Sequence, residues 1–478
     1  MESTSKVPFF FLVVVMLCGV STAQINFSQT AINSGDTATD AIANGDFNND
    51  GILDLVTVNA GTLSFYKGLG GGKFANPVNQ TLPAYRGQVV AADFNRDGKL
   101  DLAIATSCCT VSGGVTILLG NGNGTFTQGK TINVTGNNAV SIALADFNGD
   151  HLPDLAISSF TGATDIWIGK GDGTFTRTAT LQEGGYQVVA GDFNADGHQD
   201  VAMMSGNNIA MYLGNGNGTF KGPLLASLSD VSFLAVGDFY NNRIQSLAAL
   251  VTIYDGSGDY ENDLYSLRYS GGKLLVENKY VISAQTGIPY LQLTGGDVNG
   301  DFKDDLFLVG GDFQGGAISA YMLGNGNGTF QPPVAAPHWA DLQYYPFVRD
   351  LNLDSRHDVG IAWTSIFDNN GGEETLINTN AKPNCTPPKA NALSMHICAP
   401  TNGQVVGKTF TFRGAGNAFN GVAKRMELWI DGKKVGENLE DQLRVTTTLS
   451  RGAHTASFVA VDTFDRSVSG SVTFSSSY

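Results

Sequence analysis

The sequence predicts an all-β chain, a seven-bladed β-propeller followed by an Ig-like β-sandwich, and three observations carry that prediction. The 478 residues include 60 Gly while only 15% are charged, a composition suited to many short strands joined by tight turns. One acidic phrase recurs seven times. Residues 385–478 then change to plain apolar–polar alternation.

The acidic phrase reads GDFNNDGILDLVTV from Gly45, ADFNRDGKLDLAIA from Ala92, ADFNGDHLPDLAIS from Ala145 and GDFNADGHQDVAMM from Gly191. It returns as GDFYNNRIQSLAAL from Gly237, GDVNGDFKDDLFLV from Gly296 and RDLNLDSRHDVGIA from Arg349. The first Asp of each copy falls at 46, 93, 146, 192, 238, 297 and 350, so the unit is 46 to 59 residues long. Each unit has the same order: an apolar run, the Asp-rich loop, a second run, a connection and a third run. Val115-Thr116-Ile117-Leu118-Leu119 is one such third run. A Gly-Asn-Gly-Asn-Gly-Thr-Phe turn follows at 120–126, 214–220 and 324–330, with a close variant at 169–175. Its glycines permit the positive φ that a tight hairpin needs. Its closing Phe is expected to pack between neighbouring sheets. Four short strands per unit of this length mark a propeller blade, and seven units imply seven blades.

The seventh unit ends near Asn380 without a Gly-Thr-Phe strand. The segment Gln24 to Ile32, with Ile25-Asn26-Phe27, is expected to supply that strand and so remove an open sheet edge.

Counted from its first Asp, each loop carries oxygen ligands at positions 1, 3, 5 and 9, with position 7 offering its backbone carbonyl. The sets are Asp46, Asn48, Asp50, Ile52, Asp54; Asp93, Asn95, Asp97, Lys99, Asp101; and Asp146, Asn148, Asp150, Leu152, Asp154. The others are Asp192, Asn194, Asp196, His198, Asp200; Asp297, Asn299, Asp301, Lys303, Asp305; and Asp350, Asn352, Asp354, Arg356, Asp358. Alternating oxygens on a tight loop suit calcium, which takes six to eight oxygens in irregular geometry. Magnesium demands a near-octahedral shell, and the loop histidines sit at positions that do not select zinc or copper. Loop five breaks the pattern with Tyr240, Asn242 and Ser246, so six Ca2+ ions are expected. Six divalent ions would take the formal charge from −16 to −4. An EF-hand would instead have flanking helices and Glu at position 12, where loop one has Thr57.

These D-x-N-x-D-G-x-x-D-L loops and L-G-N-G-N-G-T-F turns resemble the FG-GAP/VCBS repeats of secreted bacterial proteins, and are similar to the calcium-binding blades of the integrin α-subunit propeller. The resemblance covers residues 24–384 and implies calcium in the matched loops. It assigns no ligand, because such propellers serve adhesion, lectin-like and scaffolding roles.

A linker with Pro383, Pro387 and Pro388 leads into residues 385–478, where alternating strands and an Asp431-Gly432 turn suit the sandwich. This part looks like the Ig-like modules appended to secreted bacterial proteins. Trp429 is expected in its core. Cys385 and Cys398 are expected to form a disulfide at its entry. Cys108-Cys109 suits either a strained vicinal disulfide or two buried thiols. At the N-terminus, Lys6, the apolar stretch Phe9 to Val20 and the small residues before Ala23 read as a signal peptide, 1–23, cleaved after Ala23.

The expected location is therefore secreted, extracellular or at the cell surface. A net charge of −16 argues against a nucleic-acid partner, and no segment is long and apolar enough to be a transmembrane helix. No HExxH, GxSxG or phosphate-cradling Gly loop is present, so the chain is expected not to be an enzyme. The expected role is a non-catalytic binding or adhesion module for an extracellular glycan or protein. The alternative is a propeller-based polysaccharide lyase or glycoside hydrolase. In an up-and-down blade the Asp loops and Gly-Asn-Gly turns share one face. The opposite face then collects the variable connections and their aromatics, including Tyr85, Phe160, Tyr186, Tyr254, Tyr260 and Trp339.

Overall fold

Short apolar runs separated by glycine-rich turns pair with their sequence neighbours, because a hairpin closes with little loss of chain entropy. The computed structural model describes residues 25, 27–33, 41–59, 61–82, 87–105, 113–135, 139–159, 163–254, 256, 260–283, 290–311, 317–337, 342–349, 351, 357–364, 371–379, 393–417, 425–438, 442–462 and 466–477. The leader, the linker, Cys18, Cys108, Cys109 and Cys385 lie outside the described residues, and so does most of loop seven. No described helix is long and apolar enough to cross a membrane.

Among the described residues, seven four-stranded antiparallel sheets succeed one another along the chain. Sheet one is built from Ala41–Gly45, Asp54–Asn59, Thr62–Tyr66 and Val78–Thr81, and sheet two from Val89–Ala92, Asp101–Ala105, Gly114–Gly120 and Phe126–Asn133. Sheets three to six repeat this plan, starting at Ala139, Val188, Val231 and Tyr290. Sheet seven takes Leu342–Arg349, Asp358–Thr364 and Gly371–Asn378 from one end of the repeat region, and Phe27–Asn33 from the other. Ser28 stands opposite Ile377 in that last pairing, so the expected closing strand forms. The first strands of all seven sheets line one cavity of about 420 Å³, which sets the sheets around a common axis in a propeller-like repeat fold.

The cores lie between sheets. Leu102 and Ile104 of sheet two pack with Val56 and Val58 of sheet one, while Ala103 and Ala105 face Ile142 and Ile157 of sheet three. A strand covered on both faces needs no polar side, which is why Asp101–Ala105 is buried throughout and, after the loop carboxylate Asp101, reads as one continuous apolar run. Fourth strands face solvent and are mostly exposed, as in Phe126–Asn133. Between sheets seven and one, Leu53, Leu351 and Ile377 close the ring.

The C-terminal residues form a three-stranded sheet (Ser394–Ala399, Thr409–Asn417, Gln442–Thr448) and a five-stranded sheet that share one apolar core. Asp431 and Gly432 both have positive φ (49° and 78°) and connect Ile430 to Lys433, as the sequence predicts for that turn. Trp429 corrects an expectation. Met426, Leu428 and Ile430 take the inward positions of its strand, and strand periodicity turns Trp429 outward, half-buried. There its indole N–H donates to Glu427, a carboxylate also held by Arg425 and Lys434.

Candidate metal centres

Each Asp loop joins the first and second strands of its sheet, and the same hydrogen bonds recur from loop to loop. In loop one the Asp46 carboxylate accepts the N–H groups of Asp50 (3.0 Å) and Gly51 (2.8 Å). Asp50 N–H is shared with the Asn48 side-chain oxygen, and Asp50 in turn accepts Ile52 N–H, both at 3.0 Å. Asp54 accepts Phe47 N–H at 2.9 Å through one oxygen and Gly68 N–H at 2.7 Å through the other. Asp93/Asp97/Asp101, Asp146/Asp150/Asp154, Asp192/Asp196/Asp200 and Asp297/Asp301/Asp305 repeat the scheme. The bend needs positive φ at positions 4 and 6, as at Asn49 (59°) and Gly51 (83°). Loops three and six put His151 and Phe302 at position 6 with φ 66°, a strain of about 1 kcal/mol each.

The position-9 carboxylates are fully buried at Asp54, Asp101, Asp154, Asp200, Asp305 and Asp358. Burial, with repulsion from the two other carboxylates of the loop, pushes Asp54, Asp101, Asp154 and Asp200 up to about 7. Asp297 is raised to about 6 and Asp305 well above the ordinary range, again chiefly by burial. Surface lysines stand on position 5, namely Lys67 on Asp50, Lys99 on Asp97 and Lys303 on Asp301, at 3.0 to 3.3 Å. These lysines reach only the exposed member of each set, while His151 Nδ1 lies 3.8 Å from buried Asp146 and His357 acts on Asp297. The carboxylates fold onto the amides of their own loop, and among the described residues no three acidic, imidazole or thiolate groups converge at metal-ligand spacing.

Loop five separates the needs of the turn from the surplus. Asp238 accepts Asn242 N–H (3.0 Å) and Arg243 N–H (2.8 Å), and the Asn242 side chain accepts Ile244 N–H (3.0 Å). Ser246 takes the place of the buried carboxylate and accepts Phe239 N–H at 3.3 Å. Positive φ recurs at Asn241 and Arg243. One Asp, one Asn and one Ser therefore make the turn. The other five described loops bury a second carboxylate and expose a third that the turn does not need. Their all-oxygen donor sets of three carboxylates, an amide and a carbonyl within nine residues fit a hard divalent cation. In loop seven, Asp350, Asn352, Asp354 and Arg356 lie outside the described residues, while Asp358 accepts Leu351 N–H at 2.9 Å.

Position 2 has a role that ligand counting misses. Its carbonyl accepts an N–H from the Gly-Asn-Gly turn of the following sheet: Gly124 to Phe47, Gly173 to Phe94, Gly218 to Phe147 and Gly328 to Phe239, at 2.9 to 3.1 Å. The closing Phe of that turn meets the position-2 ring edge to face, with Phe126–Phe47 centroids 5.8 Å apart and Phe330–Phe239 5.4 Å. Loops and turns thus share one face of the ring, as the up-and-down order requires. The first Gly of the turn is fixed by crowding: a Cβ on Gly120 would stand 2.1 Å from the Leu100 carbonyl oxygen, while its N–H binds Asp101. In sheet seven, Asn378 does both jobs, donating its N–H to Asp358 and its side-chain N–H to the Val298 carbonyl, each at 2.7 Å. The signal was present in the sequence as the Phe that follows the first Asp in five of the seven copies.

Residues 46–104, 93–157, 146–203 and 192–247 each match the family described as FG-GAP-like repeat. The chain carries FG-GAP-like repeats. The matched repeats hold loops one to five, the fifth lying at the end of the last match. Comparison with curated proteins finds no match. Among solved structures, an Agrocybe aegerita lectin that recognises non-reducing terminal N-acetylglucosamine is 18% identical, with a TM-score of 0.34, covering 74% of this chain and 81% of the lectin. Saccharomyces cerevisiae Sqt1 is 11% identical with a TM-score of 0.47, covering 75% of this chain and all of that one.

Proposed function

We propose that this chain is a secreted, calcium-binding, seven-bladed β-propeller with a C-terminal Ig-like sandwich, acting as a non-catalytic binding module for an extracellular glycan or protein. The observation that carries the calcium reading is the contrast of loop five with its neighbours: the same turn forms there without the surplus carboxylates. Calcium would be held by positions 1, 3, 5, 7 and 9 of the six complete loops, and when bound it supplies the positive charge that the buried aspartates lack. Asp46 and its equivalents orient the loop through N–H groups, and Asp54 and its equivalents tie it to the third strand. The loops and turns bind their neighbours into the ring. Ligand recognition then belongs to the opposite face, where Tyr186 and Tyr254 are 67% and 57% exposed. Exposed tyrosines offer apolar area with a polar tip, suited to sugar stacking or protein contact. A glycan array on the calcium-loaded protein tests the reading, with binding abolished by Tyr254→Ala or Tyr186→Ala as the expected result. Release of unsaturated or reducing sugars from a polysaccharide would replace it with an enzymatic one.

A further inference from the structure

The outer face of the three-stranded C-terminal sheet carries two arginines in direct cross-strand register, Arg413 opposite Arg444. Phe412 and Leu443 beside them point into the core, so strand alternation turns both guanidinium groups outward. Like charges directly opposite on antiparallel strands repel each other and destabilise the pair. Among the described residues no carboxylate pairs with either guanidinium, whereas Arg177, Arg268, Arg425 and Arg466 each have one. The two arginines line a cleft of about 400 Å³ with Ala399, Gln404, Phe410 and Thr411. The Gln404 side-chain oxygen is taken by Thr401 N–H at 2.9 Å, and its amide N–H₂ has no partner among the described residues. The Thr411 hydroxyl lies 2.7 Å from that of Thr446 on the next strand.

We infer that this cleft binds the carboxylate or sulfate group of an acidic polysaccharide. Two adjacent guanidinium forks match the oxygens of such a group, and an arginine–oxyanion pair is stronger and more directional than one made by lysine. The flanking amide and hydroxyls suit the sugar hydroxyls beside the charged group, and a ligand anion would relieve the repulsion between the arginines. The site is separate from the acidic loops and does not rest on their holding calcium.

The test uses the full-length calcium-loaded protein with hyaluronan (carboxylate only), dextran sulfate (sulfate only) and neutral dextran. Binding to at least one charged polymer and not to dextran is expected. The double variant Arg413→Ala/Arg444→Ala should weaken it about tenfold or more, and Arg413→Lys/Arg444→Lys should fall between. Loss on hyaluronan alone assigns a carboxylate, and loss on dextran sulfate alone assigns a sulfate. The alanine variant should melt at the same temperature or higher, because a repulsive pair has been removed. A lower melting temperature with unchanged affinity would make the pair structural and overturn the inference. So would failure of the wild type to bind either charged polymer. A double variant that binds like the wild type would place the polymer elsewhere, on the ring for example, leaving the ring's proposed role intact.

Discussion

Loop one and loop five fold the same nine-residue turn on very different electrostatics. In loop one, Asp46, Asp50 and Asp54 crowd into one bend, and Asp54 is fully buried. In loop five, Asn242 and Ser246 replace the second and third carboxylates, yet the N–H groups at positions 2, 5, 6 and 7 find equivalent acceptors. At position 3, Tyr240 fills the space against Gly328, hydrogen-bonds Ser266 at 3.2 Å and lies under Arg268 at 5.4 Å. Packing and hydrogen bonds to one carboxylate, one amide and one hydroxyl thus hold loop five, while loop one and its acidic equivalents add two further carboxylates, and burial with their mutual repulsion raises the position-9 Asp. The carboxylate of Asp304, from sheet six, reaches back to accept Asp238 N–H at 2.6 Å, so loop five also leans on its neighbour.

The largest effect expected from this contrast is on metal removal. A ligand held at a hundred times its dissociation constant stabilises by about 2.7 kcal/mol per site. Six such sites make the chelator-induced drop in thermal midpoint far larger than any single substitution, and calorimetry with and without EDTA measures it. The sign of the pH dependence should differ too. In EDTA, carboxylates raised to about 7 (Asp54, Asp101, Asp154, Asp200) bind more protons folded than unfolded. Stability then falls as pH rises from the ordinary carboxylate range through 7 and levels off only above the folded values. In saturating calcium the slope reverses, because protons and the cation compete for the same oxygens. Melts at pH 5 and pH 8 in each condition decide this.

The docking of turn onto loop should be indifferent to charge. Phe126→Ala, which strips a ring from acidic loop one, and Phe330→Ala, which does so at loop five, should each cost about 3–5 kcal/mol, as read by denaturant unfolding. A large difference between them would mean that the acidic loops stiffen the contact. Asp54→Ser, which copies Ser246, should lower stability in calcium by about 1–3 kcal/mol and leave it unchanged or raised in EDTA. A loss of equal size in both conditions would reduce Asp54 to a hydrogen-bond acceptor. The smallest effect is expected from installing the missing ligands as Tyr240→Asn/Asn242→Asp/Ser246→Asp. The variant should gain one bound ion, offset by the lost packing of Tyr240 on Gly328.

Most of the ring was legible because its signals repeat. Asp loops, turn glycines and apolar runs recur in one order, and the closing strand followed from a seventh unit that lacked its own. The tertiary part was not legible. The amide of Gly124 reaching the Phe47 carbonyl joins residues from different repeats, and nothing local marks that bond. Trp429 was misplaced because a large aromatic suggested core, whereas the register fixed by Met426, Leu428 and Ile430 turns it outward. The opposed Arg413 and Arg444 were invisible for a related reason: they are 31 positions apart in sequence, and only the strand pairing brings them together.

The central claim is that six acidic loops are cation sites and loop five is a turn alone. Elemental analysis of the purified chain after dialysis against millimolar calcium tests it most directly. About six calcium ions per chain are expected, unchanged by Ser246→Ala and reduced by one in Asp54→Ala. A chain that retains no calcium, or that loses none when Asp54 is replaced, would contradict it.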